Sequence, residues 1–314
     1  MKAFYITSYK RPEGIVYGEL ADPVPATDQL LVQIKAVSVN PVDYKILRGD
    51  LKMIVGSGFP RIVGSDYAGI IKDVGGEIKN FKPGDRIYGA VPIFFRKPGA
   101  LAELLITEPK YARLIPEGMS FEEAASLPVA SLTALNGLRK CRIAYGKHLL
   151  INGATGGVGH FAIQIAKARE AVVTATCSAG NVELAKTLGA NETIGYSRDD
   201  LAKSKGKFDA ILDAYGKMDY KDACRLLNRK GIYASTLFMP TSVFSAFWVQ
   251  LVFRKKLTSS NMRSRPEDYE EIENLFKAGK LKPLIENTFT LDKAADAFEM
   301  AEKGRPRGKI IIKI

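Results

Sequence analysis

The chain has 314 residues, of which 46% are hydrophobic and 25% charged, with a formal net charge of +12. This composition is typical of a folded globular protein with sizeable cores, and it excludes a disordered chain. The positive charge fits an anionic partner such as a phosphorylated cofactor. Lysines and arginines are scattered, however, and the densest basic cluster is the tripeptide at 254–256. Nucleic-acid binding is therefore disfavoured.

Cysteine and histidine usage narrows the class of protein further. The three cysteines are far apart and odd in number, which indicates a reducing compartment, and two histidines cannot build a multi-ligand metal cluster. The N-terminal residues lack the apolar segment of a secretory signal, and the most apolar run, 243–253, is shorter than the roughly 20 residues of a membrane span. We therefore expect a cytoplasmic protein with no metal and no membrane segment.

The first 120 residues are predicted to be mostly β-strands. Apolar runs rich in β-branched residues and punctuated by glycine and proline occur at 29–40, 61–75, 84–94, 101–108 and 111–116. Ser120, followed three residues later by Glu123, is a capping signal that predicts helices over 120–140. This segment is expected to connect the β-rich domain to a second domain.

From His148 onward, strands and helices alternate. The predicted strands are 148–154, 171–176, 192–196, 208–214 and 231–238, and the predicted helices between them are 156–169, 181–190 and 219–229. This alternation indicates parallel βαβ units and a doubly wound sheet. Two further helices, 266–280 and 291–304, precede a final strand at 308–314, which could pair back onto the β-rich domain. The resulting expectation is an α/β protein with residues 1–122 and 263–314 in one domain and 123–262 in the other.

The sequence Gly-Ala-Thr-Gly-Gly-Val-Gly at 153–159 lies between a predicted strand and a predicted helix. In this setting backbone N–H groups and the positive end of the helix face a phosphate group. Gly156 would admit a pyrophosphate, and Gly159 would allow the helix to pack on the strand. Ala154 stands where the dinucleotide pattern has its first glycine, so the pattern taken alone is also compatible with a structural turn. Its context favours a nucleotide site, to which we assign Ala154, Thr155, Gly156, Gly157, Val158 and Gly159.

The residues after the second predicted strand favour NADPH over NADH. An NAD site needs an acidic residue about 20 residues beyond the turn, and here no acid occurs before Glu183. Ser178 and Asn181 leave room and hydrogen bonds for a 2′-phosphate, and Tyr196 and Arg198 follow the next strand. The alternative is that Ser178 and Asn181 only cap the following helix.

These motifs, in this order, resemble the zinc-independent branch of the medium-chain dehydrogenase/reductase superfamily, namely the quinone oxidoreductases related to zeta-crystallin. The resemblance covers almost the whole chain, from 37–49 through 64–75 and 153–159 to 308–314. It implies a GroES-like β-rich catalytic domain, a doubly wound Rossmann domain that binds NADPH, and an active site in the cleft between them. Members of the branch often carry alanine at the position of Ala154, and relatives often carry lysine or arginine at that of Gly180. A homodimer is a further expectation of the family.

The resemblance also predicts zinc independence. Zinc-dependent relatives carry a cysteine where this chain has Asn40 and a His-Glu pair where it has Ser65 and Asp66. A catalytic zinc needs three ligands of the cysteine, histidine or carboxylate type, and only Asp43 and Asp66 could serve nearby. Without such a Lewis acid, reduction of an activated acceptor is favoured over alcohol oxidation. The expected substrate is a small apolar electrophile, either a quinone or an α,β-unsaturated carbonyl.

The candidates for donating a hydrogen bond to the developing enolate oxygen are Asn40 and Lys45, with Tyr44 and Tyr67 as alternatives, and water is the expected source of the proton. For Asn40 the alternative is a turn residue before Pro41, and for the tyrosines it is packing. Thr133 matches a family position beside the nicotinamide, although a helix threonine can bond its own backbone. Leu237 and Phe238, at the end of a sheet strand, are also assigned to the cofactor site. The aromatic run at 243–253 predicts either a buried helix or the lining of an acceptor pocket or dimer contact.

Two other functions stay open on the sequence alone. One is a zinc-free reductase of another carbonyl or of an enoyl thioester. The other is a protein that binds NADPH or RNA without turnover, as some zeta-crystallin-like relatives do. The net charge of +12 leaves room for RNA, but the sequence lacks an RNP motif and a basic helix.

Overall fold

The computed structural model describes residues 1–10, 13–92, 98–195, 201, 204, 207–237, 255–303 and 306–314. The chain forms two compact units, the first comprising Met1–Val129 with Ile285–Ile314 and the second Ala130–Leu284. The first unit is discontinuous, as the sequence predicts. Both boundaries differ from the prediction, because residues 123–129 lie in the first unit and residues 263–284 lie in the second.

The strands follow one another along both units. In chain order they are β1 (Lys2–Ile6), β2 (Ile15–Glu19), β3 (Leu30–Ser38), β4 (Arg61–Ile62), β5 (Asp66–Val74), β6 (Arg86–Ala90), β7 (Leu104–Thr107), β8 (Arg113–Leu114), β9 (His148–Asn152), β10 (Val172–Thr176), β11 (Glu192–Ile194), β12 (Phe208–Asp213), β13 (Leu227–Ser235), β14 (Lys256–Ser259), β15 (Ile285–Thr290) and β16 (Lys309–Lys313). The described helices are α1 (Pro41–Leu47), α2 (Lys52–Val55), α3 (Phe121–Ser126), α4 (Pro128–Lys140), α5 (Gly159–Ala168), α6 (Val182–Thr187), α7 (Tyr220–Leu226), α8 (Pro266–Lys277) and α9 (Ala294–Lys303).

The first unit contains two sheets. A three-stranded sheet has the order β2-β1-β4, and a larger one runs β15-β16-β3-β5-β6-β8, with β7 also paired to β3. The final strand β16 pairs antiparallel with β3, which confirms that the end of the sequence returns to the β-rich domain. Strand β3 has the alternating pattern of a half-buried strand, with Val32 and Ile34 in the core and Gln33 exposed between them. The core joins these strands to α9, where Phe298 stacks on Phe4.

The second unit is built on a six-stranded sheet of order β11-β10-β9-β12-β13-β14, in which every neighbouring pair is parallel. This order, with the first strand of the unit in the middle, is that of a dinucleotide-binding doubly wound sheet. Strands β9 and β12 are almost continuously apolar because parallel strands are buried on both faces.

Helix α8 belongs to the second unit because its charged face is paired there. Arg139 of α4 contacts Asp268 and lies 2.6 Å from the Glu271 carboxylate, and Arg169 at the end of α5 reaches the same carboxylate at 2.7 Å. Burial of Asp268 makes the loss of this partner costly. The sequence pattern predicts the helix itself but cannot show which charges it meets.

Several described elements are not among the predicted ones, including β1, β2, β14 and β15, and two local features of the first unit also depart from the predicted pattern. The run 61–75 divides into β4 and β5 at Gly64, whose φ of +95° is incompatible with a continuous strand. Asn40-Pro41, for which a turn was one interpretation, begins helix α1 instead, because proline is well suited to the first helical position. Within the described ranges, none of the helices combines the length and the apolar character that a membrane crossing requires.

Candidate cofactor and catalytic sites

Polar residues end the strands at the carboxyl edge of the second unit's sheet. The strand register aligns Asn152 with Thr176 on one side and with Asp213 on the other, and Asp213 with Ser235. In an open parallel sheet this edge, beside the point where the strand order reverses, is where ligands bind. The second unit therefore has its candidate cofactor site at the ends of β9, β10 and β12.

A buried hydrogen-bond network holds this edge together. Asn152 donates from Nδ2 to Asp213 Oδ1 at 2.7 Å, and Thr176 donates from Oγ1 to Asn152 Oδ1 at 2.7 Å. The Thr176 hydroxyl also accepts the Gly153 N–H at 3.2 Å, so the network reaches the glycine turn directly. None of the three side chains is among the site residues predicted from the sequence. The available signal was that three apolar strands each end on a polar residue.

Asp213 is the anchor of the network. Its carboxylate accepts the N–H groups of Gly216 at 2.8 Å and Met218 at 2.9 Å, and the Tyr233 hydroxyl at 2.8 Å. Burial and the adjacent Asp213 carboxylate raise the pKa of Tyr233, so this hydroxyl stays protonated and donates. Four donors therefore converge on one buried carboxylate, and they fix the loop that follows β12.

The glycine turn explains why alanine is tolerated at the first position of the pattern. Gly153 has a φ of +74°, so the tight turn is made one residue earlier than the pattern places it. Ala154 is fully buried and donates its N–H to the Thr176 carbonyl at 3.2 Å. Alanine in place of the first glycine of the pattern is therefore compatible with the geometry of the turn.

The other two glycines of the pattern have different surroundings. A Cβ on Gly159 would lie 2.2 Å from the Gly153 oxygen and 2.6 Å from the Ala154 oxygen, so the fold itself requires glycine there. A Cβ on Gly156 would meet only the Gly153 oxygen, at 3.4 Å, which is an ordinary contact. Protein packing does not demand glycine at 156, whereas a phosphate approaching the backbone would.

Thr155 and Asn181, both assigned to the cofactor site, lie together. Asn181 Nδ2 donates to Thr155 Oγ1 at 3.0 Å, and Asn181 Oδ1 is buried without a hydrogen-bond partner in the described part of the chain. The alternative that Ser178 and Asn181 serve as helix caps is wrong for their side chains, since neither forms a cap hydrogen bond within the described ranges. Ser178 is instead exposed. This orphaned amide oxygen can only accept a hydrogen bond, so it fits a ligand group that donates, such as a ribose hydroxyl, rather than a phosphate.

The remaining cofactor assignments differ in their surroundings. Thr133 is buried in α4, and its carbonyl accepts the Ser260 hydroxyl at 2.7 Å, which places this turn of α4 against the end of β14. Leu237 and Tyr215 are 40% and 41% exposed after β13 and β12, so apolar surface lies beside the glycine turn. Gly157 and Val158 complete the turn and are half-buried. Tyr196, Arg198, Phe238 and the run 243–253 lie outside the described residues.

In the first unit, Asn40 is the centre of a buried polar cluster. Its Nδ2 donates to Asp66 Oδ2 at 2.8 Å, to Ser65 Oγ at 3.1 Å and to the Ser38 carbonyl at 3.3 Å. Lys309 Nζ donates to its Oδ1 at 2.7 Å, and the residue is only 2% exposed. Both N–H donors of the carboxamide are used within the cluster. Direct donation to a substrate oxygen would require one of these bonds to break.

The other predicted donors differ in availability. Tyr67 is fully buried and donates to the Tyr111 carbonyl at 3.0 Å, which agrees with the packing alternative. Tyr44 is half-buried against the core, and the Arg48 guanidinium lies 5.8 Å from its ring centroid. Lys45 is half-buried, and burial together with Arg48 lowers the pKa of its ammonium. Of the four candidates, Lys45 is the one that is only partly buried and whose ammonium pKa is lowered.

Asp43 is a buried acid close to this cluster. Oδ2 accepts the Asn40 backbone N–H at 2.8 Å, but Oδ1 has no hydrogen-bond partner among the described residues. Burial raises the pKa of Asp43 to about 7, and nearby Asp66 acts in the same direction, whereas the Asn40 N–H and the Lys309 charge oppose the shift. The ionised form is therefore poorly accommodated at this position.

We expect Asp43→Asn to flatten the pH dependence of stability. The folded protein holds a proton that the unfolded chain releases above about pH 4, so wild-type stability should fall as the pH rises from about 4 to about 7. The loss attributable to this group is on the order of 2–4 kcal/mol. Asparagine keeps an oxygen for the Asn40 N–H. Urea unfolding at pH 5 and pH 8 measures the difference, with the exposed Asp73→Asn as control; an unchanged slope in Asp43→Asn would contradict the assignment.

Two family models match the chain. The model described as an alcohol dehydrogenase GroES-like domain covers residues 26–117, and the model described as a zinc-binding dehydrogenase covers residues 188–312. The solved structure of the quinone oxidoreductase from Coxiella burnetii has a TM-score of 0.88 and 30% identity, covering 100% of this chain and 99% of its own. These matches confirm the predicted fold class of a GroES-like domain with a Rossmann-type domain.

Curated relatives match over nearly the full length. The chloroplast envelope quinone oxidoreductase homolog of Arabidopsis thaliana is 34% identical over 95% of this chain and 94% of its own length. The 2-methylene-furan-3-one reductase of Solanum lycopersicum is 35% identical over 99% of this chain and 79% of its own length. Since one relative is named for a chloroplast envelope, the cytoplasmic location stays a prediction.

The zinc that one matched description implies does not fit the residues present. The positions of the expected ligands hold Asn40, Ser65 and Asp66, and the Lys309 ammonium already binds Asn40. A catalytic zinc needs three protein ligands of the cysteine, histidine or carboxylate type. No group of three or more such residues able to hold a metal occurs among the residues that the structure describes.

Proposed function

This chain belongs to the medium-chain dehydrogenase/reductase superfamily, in its quinone oxidoreductase branch, and from that premise we propose that it uses NADPH to reduce quinones or α,β-unsaturated carbonyls without zinc. Family membership makes it an oxidoreductase and implies a nicotinamide dinucleotide cofactor. The observation that carries the proposal is the glycine turn. A Cβ at position 156 would fit within the protein, so packing does not explain the glycine there, whereas a phosphate close to the backbone would.

The second unit offers the groups that would hold the cofactor. The pyrophosphate would lie at Gly156 and the first turn of α5, because the first N–H groups of a helix have no partner within it. The adenosine end would meet Thr155, Ser178 and the orphaned Asn181 Oδ1. Strand β10 ends without a carboxylate, and exposed Glu183 is paired with Lys186 at 2.9 Å. The lack of an acid at this point supports NADPH over NADH.

A nicotinamide cofactor held at this site would supply the hydride that reduces the β-carbon of an enone, and negative charge would then develop on the carbonyl oxygen. A proton must then reach that oxygen or the neighbouring carbon. Lys45 is the proposed donor, because burial and the Arg48 charge lower the pKa of its ammonium. Tyr44, one residue earlier on α1, is the second candidate. Asn40 and Tyr67 would orient this region rather than donate, since their polar groups already hold other partners.

The proposal is tested by measuring NADPH oxidation against a panel of quinones, enals and enones, with NADH as the alternative cofactor. We expect turnover with at least one acceptor class, a higher kcat/KM with NADPH than with NADH, and no effect of EDTA. Turnover only with simple ketones or enoyl thioesters would favour the other zinc-free reductase. No turnover, with NADPH still bound, would favour a binding protein.

The cofactor preference predicts the effect of Asn181→Asp. A carboxylate beside Thr155 would repel a 2′-phosphate but accept a ribose hydroxyl, so the NADPH-to-NADH ratio of kcat/KM should fall about tenfold or more, equivalent to about 1.4 kcal/mol. The Thr155 hydroxyl can donate to the new carboxylate, so the fold should be kept. Gly180→Lys, at an exposed position, should raise the same ratio. A ratio that moves in neither variant would place the 2′-phosphate elsewhere.

Homodimerisation stays a prediction. The preference for a small apolar acceptor is likewise part of the proposal, and the aromatic run predicted to line its pocket lies outside the described residues. The acceptor panel tests this preference through the dependence of KM on acceptor size.

A further inference from the structure

The last strand of the first unit places an ammonium group inside the buried polar cluster. Lys309 begins β16 and is 3% exposed. Its Nζ donates to Asn40 Oδ1 at 2.7 Å and to the Val39 carbonyl at 3.2 Å, and it lies 3.9 Å from Asp66 Oδ2. Burying an ammonium costs several kcal/mol unless anions and acceptors surround it. These oxygens therefore form a site that accommodates one buried positive charge.

Asp66 is the matching anion. It is fully buried, and its Oδ2 accepts from Asn40 Nδ2 at 2.8 Å and from the Ser38 hydroxyl at 3.0 Å. Its Oδ1 accepts the Val129 N–H at 3.1 Å, in the first turn of α4. Every oxygen of this carboxylate is thus used, but these donors are neutral. Lys309 supplies the positive charge in contact with it.

The same ammonium orients the start of α1. Asn40 immediately precedes that helix, and its carboxamide has two distinguishable ends. Because Lys309 can only donate, it fixes the oxygen toward β16 and turns the Nδ2 group toward Ser65 and Asp66. Tyr44 and Lys45 follow on the helix that begins here.

We propose that the Lys309 ammonium is the resident cation of this cluster, so that the chain itself supplies a positive charge at the positions where the resemblance places the ligands of zinc-dependent relatives. The inference rests on the proposed function in one respect, the absence of zinc from the reaction. The charge assignment concerns stability and metal content, so it can be tested independently of turnover.

A double-mutant cycle on the full-length protein tests the charge assignment. Lys309→Met keeps the length of the side chain but leaves Asp66 without its cation, and we expect the melting temperature to fall by about 5–10 °C. Adding Asp66→Asn should restore at least half of that loss, because the uncompensated charge is gone and Asn40 can then present its oxygen to the new amide. Lys313→Met, an exposed lysine on the same strand paired with Glu122 at 2.7 Å, is the matched control and should lower the melting temperature by less than about 2 °C.

Metal content gives the second measurement. After expression in zinc-supplemented medium, the wild-type protein should contain less than about 0.1 zinc per chain, because the ammonium excludes the ion. One zinc per chain that is lost in Asn40→Ala would overturn the proposal. So would a Lys309→Met defect that Asp66→Asn does not improve, since that result assigns Lys309 to packing alone. If both results hold but no acceptor is reduced, the reductase proposal fails and the resident cation stands.

Discussion

Replacing Gly156 by alanine is expected to raise the dissociation constant for NADPH at least tenfold while changing the free energy of unfolding by less than about 1 kcal/mol. The added Cβ would meet only the Gly153 oxygen, at 3.4 Å, so the fold accommodates it. It would project toward the space in which a pyrophosphate approaches the backbone. Calorimetric titration with NADPH and urea unfolding measure the two quantities separately.

Gly159→Ala is the contrasting variant. Here the Cβ would lie 2.2 Å from a backbone oxygen of the same turn, and both binding and stability should suffer, the latter by about 1–3 kcal/mol. Gly76→Ala, where a Cβ would meet nothing within 4 Å, is the neutral control. If Gly156→Ala binds NADPH as tightly as the wild type, the phosphate does not lie at this turn.

Asp213→Asn is expected to destabilise the second unit by about 3 kcal/mol or more. The buried carboxylate accepts hydrogen bonds from four groups, and an amide would turn two hydrogens toward donors. The loss should also weaken NADPH binding, because Asn152 and Thr176 connect Asp213 to the Gly153 N–H. Urea unfolding followed by a probe of the second unit measures the first effect, and calorimetry the second.

The stabilities of two further variants distinguish the loss of the hydrogen-bond network from the loss of a negative charge alone. Tyr233→Phe removes one of the four donors and should cost about 1 kcal/mol. Asp296→Asn, an exposed aspartate, should change stability by less than about 0.5 kcal/mol. An Asp213→Asn variant no less stable than Tyr233→Phe would show that the carboxylate does not anchor this loop.

Local patterns were sufficient to predict most of the second unit. Three patterns of residues close in sequence predict both the element types and a nucleotide site: the apolar run of β9, the glycines after it and the helical run of α5. The glycine turn predicts Thr155 and the acid-free segment after the second strand predicts Asn181, and in the structure their side chains are 3.0 Å apart. The dinucleotide pattern places the turn glycine at position 154, whereas the structure has it at Gly153, because a sequence pattern does not reveal a positive backbone φ.

The polar cluster of the first unit could not be predicted in the same way. Lys309 and Asn40 are 269 residues apart in sequence, and nothing in either local pattern indicates that they meet. The residue type of Asn40 predicts a hydrogen-bond donor, yet its Nδ2 group already donates to neighbouring residues of the cluster. Likewise, the sequence predicts a helix at 266–280, but the ion pairs that join it to Arg139 and Arg169 of the second unit are not visible in its local pattern.

The pairing of β16 with β3 determines the order in which the chain can complete its fold during synthesis. A ribosome releases residues 130–284 before 285–314, so the second unit can fold while the first still lacks two strands and α9. Until then, part of β3 is an unpaired edge open to aggregation. Asp66 also lacks its cationic partner, Lys309, until the last strand emerges. A nascent chain stalled before residue 309 would therefore expose this edge of β3 while its second unit could already be folded.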